Sequence, residues 1–182
     1  MRSFFFLIGL LVMTASANAQ AVWLSYSYAV APENEQAFAA TIDTFSKTEA
    51  FKKFNGSMIF TLNAFNGANA ETHGLQVIYK SMEDYEKLMG EIRNDADFTA
   101  FRKGLSQNST FENEALFQWV AGFGESPSTG NRSYLAQFNM VTDPMGYVGA
   151  IGANMSKPFM KDMPGGFDIW QVLVGGAPGL TH

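Results

Sequence analysis

The stretch GSMIFTLNAFNGANAETH, residues 56–73, aligns without a gap to GGFDIWQVLVGGAPGLTH, residues 165–182. Five of the eighteen positions are identical, where the average residue usage of globular proteins would give about one. The last identity joins His73 to His182, which are the two histidines of the chain. A repeat of this kind predicts that one structural unit occurs twice and that the second copy stops partway through.

Hydrophobic periodicity predicts the order of elements in the first copy. Residues 21–30 alternate between an apolar and a more polar face, which is typical of a strand, and Pro32 is predicted to open the first helix. Further strands are predicted at residues 57–65, 75–80 and 115–123. Ser81 is predicted to cap a second helix, whose apolar stripe continues to Leu105 after an irregularity near Asn94. This β-α-β-β-α-β order is that of a ferredoxin-like unit.

The predicted domains follow from this order. Residues 20–124 form a complete ferredoxin-like unit, the polar stretch 125–130 is a linker, and residues 131–182 form a truncated second unit. In the second unit we expect strands at residues 134–141 and 167–174, with a helix opening at Asp143-Pro144. The predicted fold class is therefore α+β, with tandem ferredoxin-like units of which the second is incomplete. The alternative is a half-unit completed by a partner chain, because an uncovered sheet face and open strand edges are normally avoided.

Residues 1–19 have the features of a secretory signal peptide. Arg2 precedes an apolar run at residues 4–13, and Ala17-Asn18-Ala19 is a small-x-small cleavage site that would leave Gln20 as the mature N-terminus. The apolar run is too short to span a bilayer, so no membrane attachment is expected after cleavage. The sequence therefore predicts an exported protein, periplasmic or secreted.

Composition restricts the class of partner. The chain has no cysteine, so its stability must come from a packed core, for which 47% apolar content is sufficient. It carries 17 acidic against 12 basic side chains, and this balance argues against nucleic acid as a partner. The glycine-rich pieces do not match a phosphate-binding loop, and two histidines do not make a metal site unless carboxylates join them. No cofactor and no metal are expected.

Residues 80–105, KSMEDYEKLMGEIRNDADFTAFRKGL, resemble the second helix of the dimeric α/β-barrel superfamily, which includes antibiotic-biosynthesis monooxygenase-like and NIPSNAP-like proteins. The resemblance implies that two ferredoxin-like sheets pack face to face, either in a homodimer or between the tandem units of one chain. Members of the superfamily differ widely in activity, so the fold does not select a function. The haem-degrading members depend on an Asn on the first strand, a Trp, and a His on a helix. Asn139, on the predicted first strand of the second copy, could be the equivalent of that Asn, but neither histidine of this chain lies on a predicted helix.

Two sets of residues are candidates for a functional site. His73, at the start of a strand beside the barrel mouth, could act as a catalytic general base; the alternative is a solvated loop residue repeated by duplication. A polar strand face is expected to point into the barrel and line a small-molecule pocket; the alternative is a filled core in which its polar groups satisfy one another. The candidates on this face are Trp23, Ser25 and Ser27 in the first copy and Gln137 and Asn139 in the second.

The sequence favours an exported small-molecule binder or scaffold. The alternative is a cofactor-independent monooxygenase-like enzyme, in which His73 works with Trp23 or Asn139 in a pocket inside the barrel. An enclosed cavity that touches both His73 and Trp23 would favour the enzyme. A solidly packed barrel would favour the binder or scaffold.

Overall fold

The structure is a computed structural model, and it describes residues 20–64, 69–124, 135–160 and 165–175. The predicted signal peptide, the predicted linker and His182 lie outside the described residues. The strands are β1 (Val22–Ala29), β2 (Gly56–Leu62), β3 (His73–Tyr79), β4 (Thr110–Gly124) and β5 (Gly166–Gly175). The helices are α1 (Glu35–Ser46), α2 (Glu49–Lys52), α3 (Met82–Ile92), α4 (Ala96–Asn108) and α5 (Pro144–Met155), with 3₁₀ turns at Pro32–Asn34 and Pro158–Met160.

The five strands form one antiparallel sheet in the order β2-β3-β1-β4-β5. The first four strands, with α1 and α2 between β1 and β2 and with α3 and α4 between β3 and β4, make a complete ferredoxin-like unit. The strand order therefore confirms the predicted α+β fold class. The fifth strand comes from the second copy and extends the sheet along the edge of β4.

Local signals in the sequence start the helices where they were expected. The Ser81 hydroxyl accepts a hydrogen bond from the Asp84 amide at 3.0 Å and caps α3. The Asp95 carboxylate accepts one from the Asp97 amide at 2.8 Å and starts α4, so the predicted irregularity is a break between two helices. In the second copy, Asp143 accepts a hydrogen bond from the Gly146 amide at 3.0 Å and caps α5.

The two aligned stretches both form strands. Gly56 begins β2, and Gly165, its aligned partner, immediately precedes β5. The second of these strands pairs with β4 in the first unit's own sheet. Face-to-face packing of two sheets, which the resemblance implies, is therefore not formed by the described part of the second unit; that part instead adds one strand to the first sheet.

The strand predicted at residues 134–141 is wrong for its described part. Residues 135–141 carry no strand. In the first unit, β1 is stabilised by hydrogen bonds to β3 on one side and β4 on the other. The described residues of the second unit contain no strands equivalent to β3 and β4. Alternation alone therefore does not produce a strand at this position, because the backbone has no ladder to join.

The core lies between one face of the sheet and the helices. Phe38 on α1 is fully buried against this face, and α1 packs closely on α4, where a Cβ added at Gly104 would lie 2.6 Å from Cγ2 of Thr41. The buried residues of this core are Val22, Leu24, Tyr28, Val30, Phe38, Phe45, Ala50, Leu75, Val77, Tyr79, Leu88, Ile92, Phe101 and Leu105. Because strand side chains alternate between faces, the neighbours of Leu24 on β1 point to the opposite face.

Candidate functional site

The sheet face opposite the core carries Trp23, Ser25 and Ser27, as predicted from the alternation in β1. All three side chains are half-buried, whereas Leu24 and Tyr28 lie in the core. Trp23 is directly opposite Ile78 on β3 and Phe117 on β4. These cross-strand neighbours share the face of Trp23, so the strand register determines the surroundings of the indole.

Four aromatic rings form a cluster on this face, which we call the aromatic patch: Trp23, Phe117, Phe138 and Trp170. Trp23 stacks on Phe117 with a centroid distance of 4.4 Å, and Trp170 meets Trp23 edge-on at 5.6 Å. Phe138 lies 6.1 Å from Phe117. Phe117 at the centre is 2% exposed, whereas Trp23 and Trp170 are half-buried and Phe138 is 49% exposed. The patch therefore has a packed centre and an accessible rim.

Polar groups hold the rim of the patch in place. Trp23 Nε1 donates a hydrogen bond to Gln76 Oε1 at 2.6 Å, which fixes the indole plane. A Cβ added at Gly74 would lie 2.6 Å from Gln76 Nε2 and 2.5 Å from Thr61 Oγ1. Gly74 therefore leaves room for an amide nitrogen and a hydroxyl directly above the backbone of β3. Ser25 lies opposite Gln76 and extends this polar row.

An open cavity of about 320 Å³ adjoins the patch at the end of the sheet where β1 begins. Ile78, which lines it, is the cross-strand neighbour of Trp23, and Ser57 is the cross-strand neighbour of Ile78. The lining residues are Ala21, Phe54, Asn55, Gly56, Ser57, Ile78, Tyr79 and Lys80. The cavity is wide open to solvent, and its lining combines aromatic, polar and cationic side chains.

The second-copy candidates take a different place from the one expected. Gln137 Nε2 donates to Asn139 Oδ1 at 3.1 Å, and Asn139 Nδ2 donates to the Tyr147 hydroxyl on α5 at 3.2 Å. From the same segment, Phe138 reaches Phe117 on the patch. The structure brings Trp23, Ser25 and Ser27 together on one face and ties Gln137 and Asn139 to α5.

His73 lies on the core face of the sheet, not on the face of Trp23. It is the first residue of β3, is 4% exposed, and stands opposite Tyr28 on β1. Its imidazole stacks on Phe60 with a centroid distance of 5.4 Å and an interplanar angle of 16°, and lies 5.7 Å from Phe38. His73 is thus neither at a barrel mouth beside Trp23 nor in a solvated loop.

The surroundings of His73 favour a neutral imidazole. Burial lowers its pKa below the ordinary value of 6.5, and Glu35 at the start of α1 opposes this shift in part. Nδ1 lies 2.8 Å from Thr72 Oγ1, which also accepts a hydrogen bond from the Val30 amide at 2.9 Å. Burial likewise raises the pKa of Tyr28 to about 12, with Glu114 adding to the shift. These groups hold the end of β1 in place and do not form an open acid–base site.

Within residues 20–64, 69–124, 135–160 and 165–175, no group of three or more His, Cys, Asp or Glu side chains is placed to hold a metal ion. None of the described helices is long and apolar enough to cross a membrane.

No protein-family model matches the sequence, and no curated protein matches it. Several solved structures are similar. A conserved protein from Methanosarcina mazei Go1 is 17% identical with a TM-score of 0.42, and the match covers 54% of this chain and 92% of that one. A putative antibiotic biosynthesis monooxygenase from Nitrosomonas europaea is 12% identical with a TM-score of 0.39, over 54% and 86% of the two chains. A protein from Bacteroides fragilis, described as dimeric with a ferredoxin-like fold, is 13% identical with a TM-score of 0.35, over 53% and 91%.

Sequence reasoning missed four residues of the site: Gln76, Phe117, Phe138 and Trp170. Phe117 and Trp170 lie in strands that were predicted, and alternation along those strands separates their faces. The missing information was the register, which sets Phe117 opposite Trp23. The β4–β5 register is also interrupted by two irregularities, which no local pattern reveals.

Proposed function

We propose that this protein is an exported small-molecule binder whose ligand lies on the aromatic patch. The observation that carries the proposal is the half-buried Trp23 indole, stacked on Phe117, met edge-on by Trp170 and fixed by Gln76. Rigid aromatic surfaces with a few fixed polar groups are what small-molecule sites present. The open cavity beside Ile78 extends this surface and adds room for a ligand.

The chemistry of the rim indicates the class of ligand. The aromatic rings offer flat apolar contacts, and the amide of Gln76 with the hydroxyls of Ser25 and Thr61 offers hydrogen bonds. Lys80, on the wall of the adjoining cavity, adds a positive charge. A compact aromatic compound with a carboxylate or hydroxyl group complements this arrangement.

The enzyme alternative has less support from the geometry. It required a cavity shared by His73 and Trp23, but the two side chains lie on opposite faces of the sheet. The imidazole is enclosed by Phe38 and Phe60, and its Nδ1 is in contact with Thr72. A general base must be within hydrogen-bond reach of its substrate, so a binder fits this arrangement better than a catalyst built on His73.

The proposal is tested by NMR with 2-naphthoate as the probe. The chain has three tryptophans, so a ¹⁵N-labelled sample gives three indole N–H signals, of which that of Trp23 is hydrogen-bonded to Gln76. We expect 2-naphthoate to shift the Trp23 signal and the Gln76 side-chain signals in a saturable way. Binding should be lost in Trp23→Leu and kept in Phe98→Leu, which removes a ring from the core side of the sheet. Equal binding by the two variants would refute the site.

Export is supported by the order of features in residues 1–19, a positive charge followed by an apolar run and a small-residue cleavage site. Expression of the whole chain in a Gram-negative host, followed by fractionation, tests it. We expect the processed protein in the periplasm or the medium. Retention in the cytoplasm with residues 1–19 intact would contradict export.

A homodimer is a further part of the proposal. The strand β2, GSMIFTL, forms one edge of the described sheet and carries no charged residue or proline, which are the usual means of discouraging edge pairing. Sedimentation equilibrium tests this, with Ile59→Lys as the variant expected to weaken association. A monomer at all concentrations would contradict it.

A further inference from the structure

The junction between residues 19 and 20 lies just outside the sheet. Gln20 is exposed, whereas Val22, the first residue of β1, is 1% exposed. Between them, the carbonyl oxygen of Ala21 accepts a hydrogen bond from the Trp119 amide at 2.9 Å. Cleavage after residue 19 would therefore leave β1 intact and would leave a single exposed residue, Gln20, before the first anchored one.

We propose that Gln20, once freed by this cleavage, cyclises to pyroglutamate, so that the mature protein begins with a neutral lactam ring. The inference rests on the export that is part of the proposed function. The neutral α-amino nitrogen attacks Cδ of the residue's own carboxamide and forms an N–Cδ bond. The Cδ–Nε2 bond breaks, and Nε2 leaves as ammonia with one proton from the amine. The step is an intramolecular acyl transfer and needs no oxidant, reductant or cofactor.

The position of Gln20 favours this reaction. An α-amino group has a pKa of about 7.7 to 8.0, so a useful fraction is neutral and nucleophilic near neutral pH. The two reacting groups belong to one residue, and the closure of a five-membered ring within it makes the attack effectively unimolecular. Because the side chain is exposed and the chain is first anchored at Ala21, the carboxamide is accessible to the amine.

Cyclisation would change the charge beside the proposed ligand site. Ala21 lines the cavity of about 320 Å³, on whose wall Lys80 also lies. A free amine at Gln20 would add a positive charge near this cavity, and the lactam removes it. Among the described lining residues, Lys80 would then supply the positive charge that contacts an anionic ligand. The blocked terminus would also resist aminopeptidases.

Mass spectrometry of the exported protein tests the inference. The whole chain is expressed with its own residues 1–19, recovered from the periplasm or the medium, and held at neutral pH before intact-mass and N-terminal peptide analysis. We expect the mass of residues 20–182 less one ammonia, with the loss located on Gln20. The control Gln20→Ser should give the mass of residues 20–182 without any loss, because serine has no carboxamide.

The outcomes separate the two proposals. Residues 20–182 with an unmodified Gln20 after prolonged incubation would overturn cyclisation and leave export standing. An exported chain that is cut at another site would overturn cyclisation at Gln20 and leave export standing. Retention in the cytoplasm with residues 1–19 intact would overturn both.

Discussion

Acidification should destabilise this protein through His73. Lowering the pH from about 7.5 to about 5 crosses the range in which a histidine normally gains its proton. Here the imidazole is 4% exposed and stands between Phe38 and Phe60, with Glu35 as the nearby carboxylate that favours the charged form. Burial is the larger effect and lowers the pKa, so the native state resists protonation more than the unfolded chain does.

A proton on His73 would also disturb the hydrogen bonds of Thr72. In the neutral form, Nδ1 can accept the Thr72 hydroxyl proton at 2.8 Å while Thr72 Oγ1 accepts the Val30 amide at 2.9 Å. In the charged form both ring nitrogens are donors. The hydroxyl must then turn its proton toward the carbonyl oxygen of Val30 or Tyr28, at 3.4 and 3.5 Å, and these are longer contacts.

The sign and the size of the effect follow from proton linkage. The folded pKa lies below the unfolded value of 6.5, so the unfolded chain binds more protons in the interval between the two values. The free energy of unfolding therefore rises with pH across that interval. The contribution of His73 to it is fully present above pH 6.5 and is lost as the pH falls toward the folded pKa. Since a single titrating group contributes at most about 1.4 kcal/mol per pH unit, the loss cannot exceed about 2 kcal/mol when the pH falls to about 5.

Urea unfolding, followed by circular dichroism at several pH values, measures this loss. His73→Phe keeps an aromatic ring between Phe38 and Phe60 and removes the titrating group, so its stability should fall less between about pH 7.5 and about pH 5. Thr72→Val should lose about 1 to 3 kcal/mol at the higher pH, because the Val30 amide loses its acceptor, and should keep most of the pH dependence. Equal losses on acidification in the wild type and in His73→Phe would refute the reasoning.

Three other predictions use the same measurement of unfolding. Replacing a fully buried Trp with Ala costs about 3 to 5 kcal/mol, and because the Trp23 indole is half-buried, Trp23→Ala should cost about 3 kcal/mol or less. Unchanged stability in this variant would show that Trp23 is not packed in the patch. Gly90→Ala should stabilise by about 0.5 to 1 kcal/mol, since nothing lies within 4 Å of the new Cβ, whereas Gly104→Ala should destabilise because its Cβ would meet Thr41 at 2.6 Å; the same sign for both would contradict the packing of α1 on α4. Residues 20–124 alone should unfold cooperatively but associate through the edge of β4 that β5 no longer covers, and aggregation at every concentration would count against an independent unit.

The fold was predictable wherever a local signal and the tertiary structure agree. Alternation in β1 and β5, the Ser81 cap and the break before Asp95 all depend on residues a few positions apart. Residues 135–141 show the limit of such signals. They alternate as well as β1 does, but a strand needs partners on its flanks, and the described part of the second unit does not supply them.

The site was predictable only in part, because its contacts depend on register. The alternation of side chains along β1 was enough to predict on which face of the sheet Trp23 lies. The face of His73 depended on whether β3 begins at that residue, and this is settled by its pairing with Tyr28 and Leu62, which are distant in sequence. A start two residues later would have left the imidazole in a loop. Long-range pairing therefore decided which candidate shares a face with the indole.

The aromatic patch is a property of both copies of the repeat. The first copy supplies Trp23 and Phe117, and the second supplies Trp170 and Phe138, so neither copy forms the patch alone. A side-chain hydrogen bond also fixes β5 to β4: Trp119 Nε1 on β4 donates to the Asp168 carboxylate on β5 at 3.1 Å. The edge of β4 is thus covered by β5, and the same strand carries the ring that meets Trp23 edge-on. A ligand that contacts both indoles would stabilise this strand addition, because it would bind only the joined form.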